Sequence, residues 1–306
     1  MLKRRIASVQ STKKITRAME LIAATRVAKA QTRANQARPY AARITSVIED
    51  LAKGGASASH PLLEAPEKIR KVAYVVIAGD RGLAGPYNST VIRAAERELM
   101  ARSAEGIGYS LILIGKKARD YFAFRNYDVD AFYEGITDTP DYESAREVAE
   151  YVSDQFIDGD IDQVILIFTE FVSIGTQKLA VRQFLPLESV ETIAEVGSGG
   201  ELTAAFEFEP SADGVLESLL PRYVESRLYS ALLDSSASEH ANRQRAMKAA
   251  TDNAEDLITK LGRQLSSARQ AAITTEIMEI VGGAEALGGG DDDKNDQVAQ
   301  ILQQTN

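Results

Sequence analysis

The chain contains no cysteine among its 306 residues. That excludes disulfides, thiolate catalysis, cysteine-ligated zinc and thiol redox switching together. It fits a reducing compartment without requiring one. Long apolar runs are also missing. No stretch approaches the ~20 residues needed to cross a bilayer, so any membrane association goes through partners. Histidine is scarce: His60, beside Pro61, and His240 are the two copies, and they lack metal-ligand spacing. The net charge is −9, yet acidic residues nearly vanish from the first 45 positions. There Lys3, Arg4, Arg5, Lys13, Lys14, Arg17, Arg26, Lys29, Arg33, Arg38 and Arg43 face Glu20 alone. Such an end reads as a transit peptide, a nucleic-acid arm, a rod facing an acidic protein surface, or a plain solvated helix face. Helical patterning runs past residue 45 without a processing-like break, which counts against the first. No helix-turn-helix, zinc-finger or RNP pattern accompanies the charge, which counts against the second.

What is present is helical periodicity at both ends. An apolar content of 44% with 26% charged residues is ordinary for a globular protein. In a first arm over residues 1–53, Ile6, Val9, Met19, Ile22, Ala23, Ala30, Ile44, Val47, Ile48 and Leu51 recur at helical spacing. Pro39 predicts a kink or short break near Arg38, and Gly54-Gly55 ends the arm. A second arm over 211–287 begins at a Ser211 or Asp213 cap. Its first stripe is Leu216, Leu219, Leu220, Tyr223, Val224, Leu228 and Leu232, interrupted by Pro221, which should kink it or mark the true helix start. Farther on, Ile273, Ile277, Ile280, Ala284 and Leu287 are spaced as a coiled-coil seam. At 1.5 Å per residue the arms would be roughly 75 and 110 Å long. A domain of the ~150 residues between them would be only about 35–40 Å across. The arms are therefore expected to project and to pack on each other as an antiparallel coiled coil. Residues 288–306, rich in glycine, aspartate and glutamine, read as a flexible tail.

Between the arms, residues 62–208 alternate strand and helix signals. Val72–Ile77 is a buried strand, followed by the turn Gly79–Gly85 and a helix over Asn88–Met100. Leu111–Ile114 is a strand, Lys116–Arg125 a helix, Tyr142–Ile157 a helix and Val164–Phe168 another strand. Leu179–Leu185 and Leu202–Phe208 read as later strands. The order predicts an α/β fold: a Rossmann-like, mostly parallel sheet with right-handed crossovers, carried by the antiparallel coiled coil of the two arms.

Catalytic groups are hard to find. The turn G79-D-R-G-L-A-G85 is the one glycine-rich candidate for phosphate, yet it matches neither G-x-G-x-x-G nor G-x-x-x-x-G-K-[ST]. A tight strand-to-helix turn explains its glycines as well as an anion site does. Asp80 and Glu170 would form a carboxylate pair only by accident of folding. The residues argue against an autonomous enzyme, and no cofactor or metal is expected.

Three segments carry a family resemblance. R5-I-A-S-V-Q-S-T-K-K-I-T-R-A-M-E-L-I-A-A-T-R-V-A-K-A-Q31 resembles the N-terminal helix of the γ subunits of F-type ATP synthases, bacterial type. D80-R-G-L-A-G-P-Y-N88 is similar to that family's second signature. S238-E-H-A-N-R-Q-R-A-M-K-A-A-T-D-N-A254 and A268-R-Q-A-A-I-T-T-E-I-M-E-I-V-G-G-A284 resemble its C-terminal helix. The resemblance implies a non-catalytic rotor. The arms would form a shaft inside the α3β3 ring, and the α/β domain would form a foot with ε on the membrane c-ring, one copy per complex. Torque would pass between c-ring and catalytic ring, with the catalytic sites on β. It implies a peripheral place on the cytoplasmic side of the plasma membrane and no nucleic-acid partner. By motif, Arg269, Gln270, Thr274 and Glu276 align with the catch contacts to β, and Met19 with the position near the moving β loop. Lys14, Arg17 and Arg26 are expected, on charge alone, to face acidic β surface. Ile277, Ile280 and Val281 would form an apolar bearing tip.

Two departures stand out. The family often has a cysteine in the D-R-G-L turn where this chain has Ala84, and the chloroplast form's cysteine-bearing insert is absent, so redox regulation is excluded. Relatives usually end near Leu287, while this chain continues to Asn306. Two rival readings stay open: a Rossmann-type nucleotide-binding protein with coiled-coil dimerisation arms, and a coiled-coil adaptor or nucleic-acid scaffold, the latter requiring steeply salt-dependent binding.

Overall fold

Five strands form one sheet in the computed structural model, which describes residues 1–53, 60–187 and 211–303. They are β1 (Lys71–Ile77), β2 (Gly108–Ile114), β3 (Ala131–Tyr133), β4 (Gln163–Phe171) and β5 (Gln177–Leu185), in the order β3-β2-β1-β4-β5. The first four run parallel, and β5 returns antiparallel on β4. The mostly parallel sheet expected from the βα alternation is therefore present. Helices α2 (Tyr87–Ala104), α3 (Lys116–Phe124) and α4 (Tyr142–Ile157) cross between strands. The three-residue β3 has no counterpart in the sequence reading, because Ala131-Phe132-Tyr133 is too short for a period to show. The strand expected over Leu202–Phe208 lies outside the described residues.

Strand alternation divides the core into two layers. Ala73, Val75, Ile77, Ile112, Ile114, Val164 and Leu166 face one side, and Val72, Tyr74, Val76, Leu111, Leu113, Ile165 and Ile167 face the other. The second layer is closed by Val91, Ala95 and Leu99 of α2 and Phe122 of α3. The first is closed by Val148 and Val152 of α4 together with the two terminal helices, α1 (Leu2–Lys53) and α5 (Ala212–Gln303). Ile44, Ile48 and Leu51 of α1 and Leu216, Leu220, Val224 and Leu228 of α5 belong to this same core.

Both terminal helices run through their prolines. Pro39 and Pro221 are helix-interior residues, so the break expected near Arg38 and the late start expected at Pro221 do not occur. Each proline removes one backbone bond, and the apolar contacts on both sides hold the helix together. Ser211 is the cap, its Oγ accepting from Gly214 N at 3.1 Å. At the other end α5 stays helical to Gln303, past the expected boundary at Leu287. The three glycines 288–290 each cost about 1 kcal/mol in a helix, but the Gln-Val-Ala-Gln-Ile-Leu-Gln run after them is made largely of good helix formers.

Compactness divides the chain into two units, with boundaries inside α1 and α5 rather than at their ends. Residues 18–248 form the unit that holds the sheet. Residues 1–17 and 249–306 form the other. In this second unit the helices are antiparallel: Lys13 Nζ meets Glu255 Oε1 at 2.9 Å, and Thr16 Oγ1 meets Thr251 Oγ1 at 2.8 Å.

A line of buried or half-buried positions runs along α1 from Leu2 through Ile6, Val9, Lys13, Thr16, Glu20, Ala23, Val27 and Ala30. It continues through Ala34, Ala37 and Ala41 to Ile44, Ile48 and Leu51. The steps alternate four and three, a 3.5-residue repeat. Ile22 and Val47, grouped with this stripe on spacing alone, are exposed. They sit one position beside it, and a 3.6-residue window cannot separate the two faces.

Candidate interaction surfaces

α5 passes through three environments. From Ala231 to Arg243 it is buried nearly all round, Asp234 alone being intermediate. In the unit formed with the start of α1, it is covered only along Ala250, Thr251, Ala254, Ile258, Leu261, Gly262 and Leu265. From Ser266 to Ala284 every residue is exposed. Register explains the change. The antiparallel pairing carries Leu2 to about residue 266 of α5, and α1 supplies nothing beyond that. The spacing of Ile273, Ile277, Ile280 and Ala284 is thus not a seam within this chain, contrary to the sequence reading. Ile273 is 44%, Ile277 54%, Ile280 72% and Val281 50% exposed.

Arg269, Gln270, Thr274 and Glu276 lie on this uncovered stretch with the apolar residues. Thr274 Oγ1 donates back to Gln270 O at 2.9 Å, so its hydroxyl proton is used within the helix. Lys14 and Arg17 are exposed on α1 in the same unit.

In the sheet-bearing unit, Met19 and Arg26 line a cleft of about 310 Å³ with Ile22, Ala23, Arg81, Leu83 and Arg243. Arg26, expected to face outward to a partner, is ion-paired within the chain to both carboxylate oxygens of Asp138. Burial alone would raise the Asp138 pKa; the bonds from Arg26 outweigh it and hold this carboxyl below the usual carboxylate range.

The carboxyl ends of the strands, where open α/β sheets bind their ligands, are occupied by α5 itself. The Glu239 carboxyl lies over Gly79, where a Cβ would come within 2.7 Å of it. Arg243 pairs with Glu239 and donates to Gly82 O at 3.3 Å. Ser238 Oγ donates to Thr169 O at 3.2 Å and Ser236 Oγ to Asp138 O at 3.2 Å. Burial pushes the Glu239 carboxyl up, and Arg243 opposes the shift. Tyr87 is buried beside Glu239, and burial pushes its hydroxyl well above the ordinary value. The turn's own donors are used too: Gly79 N bonds Asn88 Oδ1 at 2.7 Å, and Asp80 N bonds Thr137 Oγ1 at 3.3 Å. A phosphate at this crevice would meet a carboxylate and amides already engaged. The glycines serve the turn, with Gly85 at φ 55° and no room for a Cβ at Gly79.

Asp80 and Glu170 are not brought together. Asp80 accepts from Lys116 N and Gly135 N at 3.0 Å and from Thr137 Oγ1 at 3.1 Å, while Glu170 pairs with Arg182 at 2.8 Å. Neither histidine is a solvated loop residue. His60 Nδ1 accepts from Leu62 N at 3.1 Å as the cap of a 3-10 turn over Pro61–Leu63. His240 is 1% exposed. Arg243 can only donate, so its 3.2 Å contact to His240 Nδ1 leaves the proton on Nε2, which points to Asp138 O at 3.3 Å. Burial lowers the His240 pKa. Among the described residues, no helix is long and apolar enough to cross a membrane.

A family model for ATP synthase matches residues 1–287. The ATP synthase gamma chain of Kineococcus radiotolerans is 48% identical over 289 residues, covering 93% of this chain and 95% of its own length. That of Frankia casuarinae is 51% identical over 292 residues, covering 94% and 97%. The chain belongs to the ATP synthase gamma-chain family. Solved structures share the fold at low identity. A chain of the Euglena gracilis mitochondrial ATP synthase rotor superposes with TM-score 0.63 at 17% identity, over 89% of this chain and 97% of that one. A chain of the Tetrahymena thermophila mitochondrial ATP synthase central stalk and c-ring gives 0.58 at 23%, over 77% and 99%.

The buried set Glu239, His240 and Arg243 lies within a segment that carries the family resemblance, yet sequence reading assigned it no role. The one available signal was the Glu239–Arg243 spacing of four, which on a helix usually marks an exposed ion pair.

Proposed function

We propose that this chain is the non-catalytic rotor of a proton-translocating ATP synthase, carrying torque between a membrane c-ring and a catalytic α3β3 ring. One copy would serve each complex, with ε beside the sheet domain. The complex would sit on the cytoplasmic side of the plasma membrane, touching it only through the c-ring. Catalysis would belong to β. The observation that carries this reading is the uncovered end of α5 in a family whose curated members are named gamma chains. Nineteen consecutive exposed residues bearing four large aliphatic side chains suit a helix that is covered by other subunits.

In this reading Arg269, Gln270, Thr274 and Glu276 form the catch toward β, and Ile277, Ile280 and Val281 form the bearing. A shaft that visits three equivalent sites needs replaceable contacts, and exposed charge pairs worth about 0–1 kcal/mol each meet that need. Apolar side chains slide without stranding a polar group. Met19, Lys14 and Arg17 would serve the moving β loop and acidic β surface, and Arg26 would act there through its pair with Asp138. The Rossmann-type nucleotide-binding reading is disfavoured by Glu239 and the engaged amides at the strand ends.

Copurification with α, β and ε at one chain per α3β3, followed by ATPase and proton-pumping assays on Arg269→Ala and Gln270→Ala, tests the proposal. Normal assembly with coupled activity reduced up to about fivefold in each variant is expected, a loss of up to about 1 kcal/mol in the coupling contacts. Full coupled activity in both variants would remove the catch assignment, and failure to copurify would remove the rotor reading.

A further inference from the structure

A second cavity of about 300 Å³ opens on α1 away from the D-R-G-L turn, lined by Arg26, Lys29, Arg33, Asp138, Thr139 and His240. Its α1 wall carries three cations at spacings of three and four, so they share one face, and like charges at these spacings repel. No aspartate or glutamate occurs between Leu21 and Ala37 to offset them. Arg26 is committed to Asp138. Lys29 and Arg33 have no carboxylate at ion-pair distance among the described residues. The lining also includes Thr139 and the buried His240. Asp138 is the one carboxylate facing the cavity, and Arg26 neutralises it. The balance is an excess of two positive charges in a concave site.

We infer that this cavity is an anion site for a phosphate group carrying two or more negative charges, either free or at the end of a nucleotide. Lys29 supplies a point charge and Arg33 a fork that matches phosphate oxygens two at a time. The volume exceeds what orthophosphate fills and accommodates a diphosphate. The site is separate from the strand-end crevice, where Glu239 excludes phosphate, and it stands independently of the rotor reading.

The histidines make the test clean, since the chain has only two. His240 lines the cavity, and His60 caps the turn before β1. Pyrophosphate added to the full chain at low ionic strength should move the His240 ring resonances, leave those of His60 in place, and give a Kd of about 1 mM that weakens with added chloride. Lys29→Gln with Arg33→Gln should weaken binding about tenfold or more while circular dichroism shows the fold retained; Lys3→Gln, a basic residue outside the cavity, should leave it unchanged. ATP at matched ionic strength separates a nucleotide-borne phosphate from a free one. Movement of His240 with either probe supports the site. An unmoved His240 with both probes, binding retained in the double variant, or equal weakening by Lys3→Gln would overturn it.

Discussion

Asp234 of α5 titrates far from its usual range: burial, and after it the Glu170 carboxylate, push its pKa up to about 6 from 3.8, with Arg38 and Arg182 opposing. The native state therefore holds this proton more tightly than the unfolded chain. Stability falls as pH rises from about 4 to about 6 and is flat for this group above that. Asp234→Asn should raise stability at pH 7 by about 1–3 kcal/mol and flatten the profile between those values. Denaturant melts at several pH values check this, and a variant less stable at pH 7 would show that the carboxylate has an attraction outweighing its burial. Single side chains were the least legible scale in the sequence. Glu239 and Arg243 look like an exposed helical pair until β1 and its turn are placed against them. Arg26 looks like a free charge until Asp138, 112 positions away, arrives beside it. Periodicity describes a helix's own surface, whereas these roles depend on what the rest of the chain lays over it.

At the scale of elements, sequence and structure agree where a period is long. The strands near Val72–Ile77 and Val164–Phe168 and the helix over Tyr142–Ile157 were readable because apolar runs and 3.6-residue stripes are local signals. β3 was too short, and of the kink or interruption expected at each proline the interruption does not occur, because the core on either side keeps the helix continuous. The two-helix pairing of residues 1–17 with 249–265 has a polar position inside its seam, the buried Thr16–Thr251 hydroxyl contact. Thr16 Oγ1 also donates to Lys13 O at 3.1 Å, so Thr251→Val removes the cross-helix contact while Thr16 keeps a partner, a cost of about 0.5–1.5 kcal/mol. Thr16→Val with Thr251→Val removes the same cross-helix contact and should cost less than the sum of the two single changes. A double-mutant cycle in urea checks the coupling, and additive losses would mean the two hydroxyls do not depend on each other.

For the whole molecule, the family resemblance covered the matched residues 1–287 and so carried the architecture further than pattern could. What pattern could not supply was where α1 stops covering α5, because that depends on the register of two segments over two hundred residues apart. Beyond that point Ile277→Asp with Ile280→Asp should change the stability of the isolated chain by no more than about 0.5 kcal/mol, since both residues are already in water. The same change should reduce self-association and weaken capture by an α3β3 assembly at least about tenfold. Sedimentation and a binding titration read both effects. A drop of several kcal/mol in stability would mean that the tip is packed within the chain.

The unbroken four-three stepping of α1 has a mechanical corollary. A strict 3.5-residue repeat winds its partners into a left-handed superhelix. Such an object is chiral, so twisting it in one sense winds the two strands tighter and twisting it in the other loosens them. The elastic response of the paired segment therefore differs between clockwise and anticlockwise load, and the Thr16–Thr251 lock sits where that difference would be felt as slip or grip.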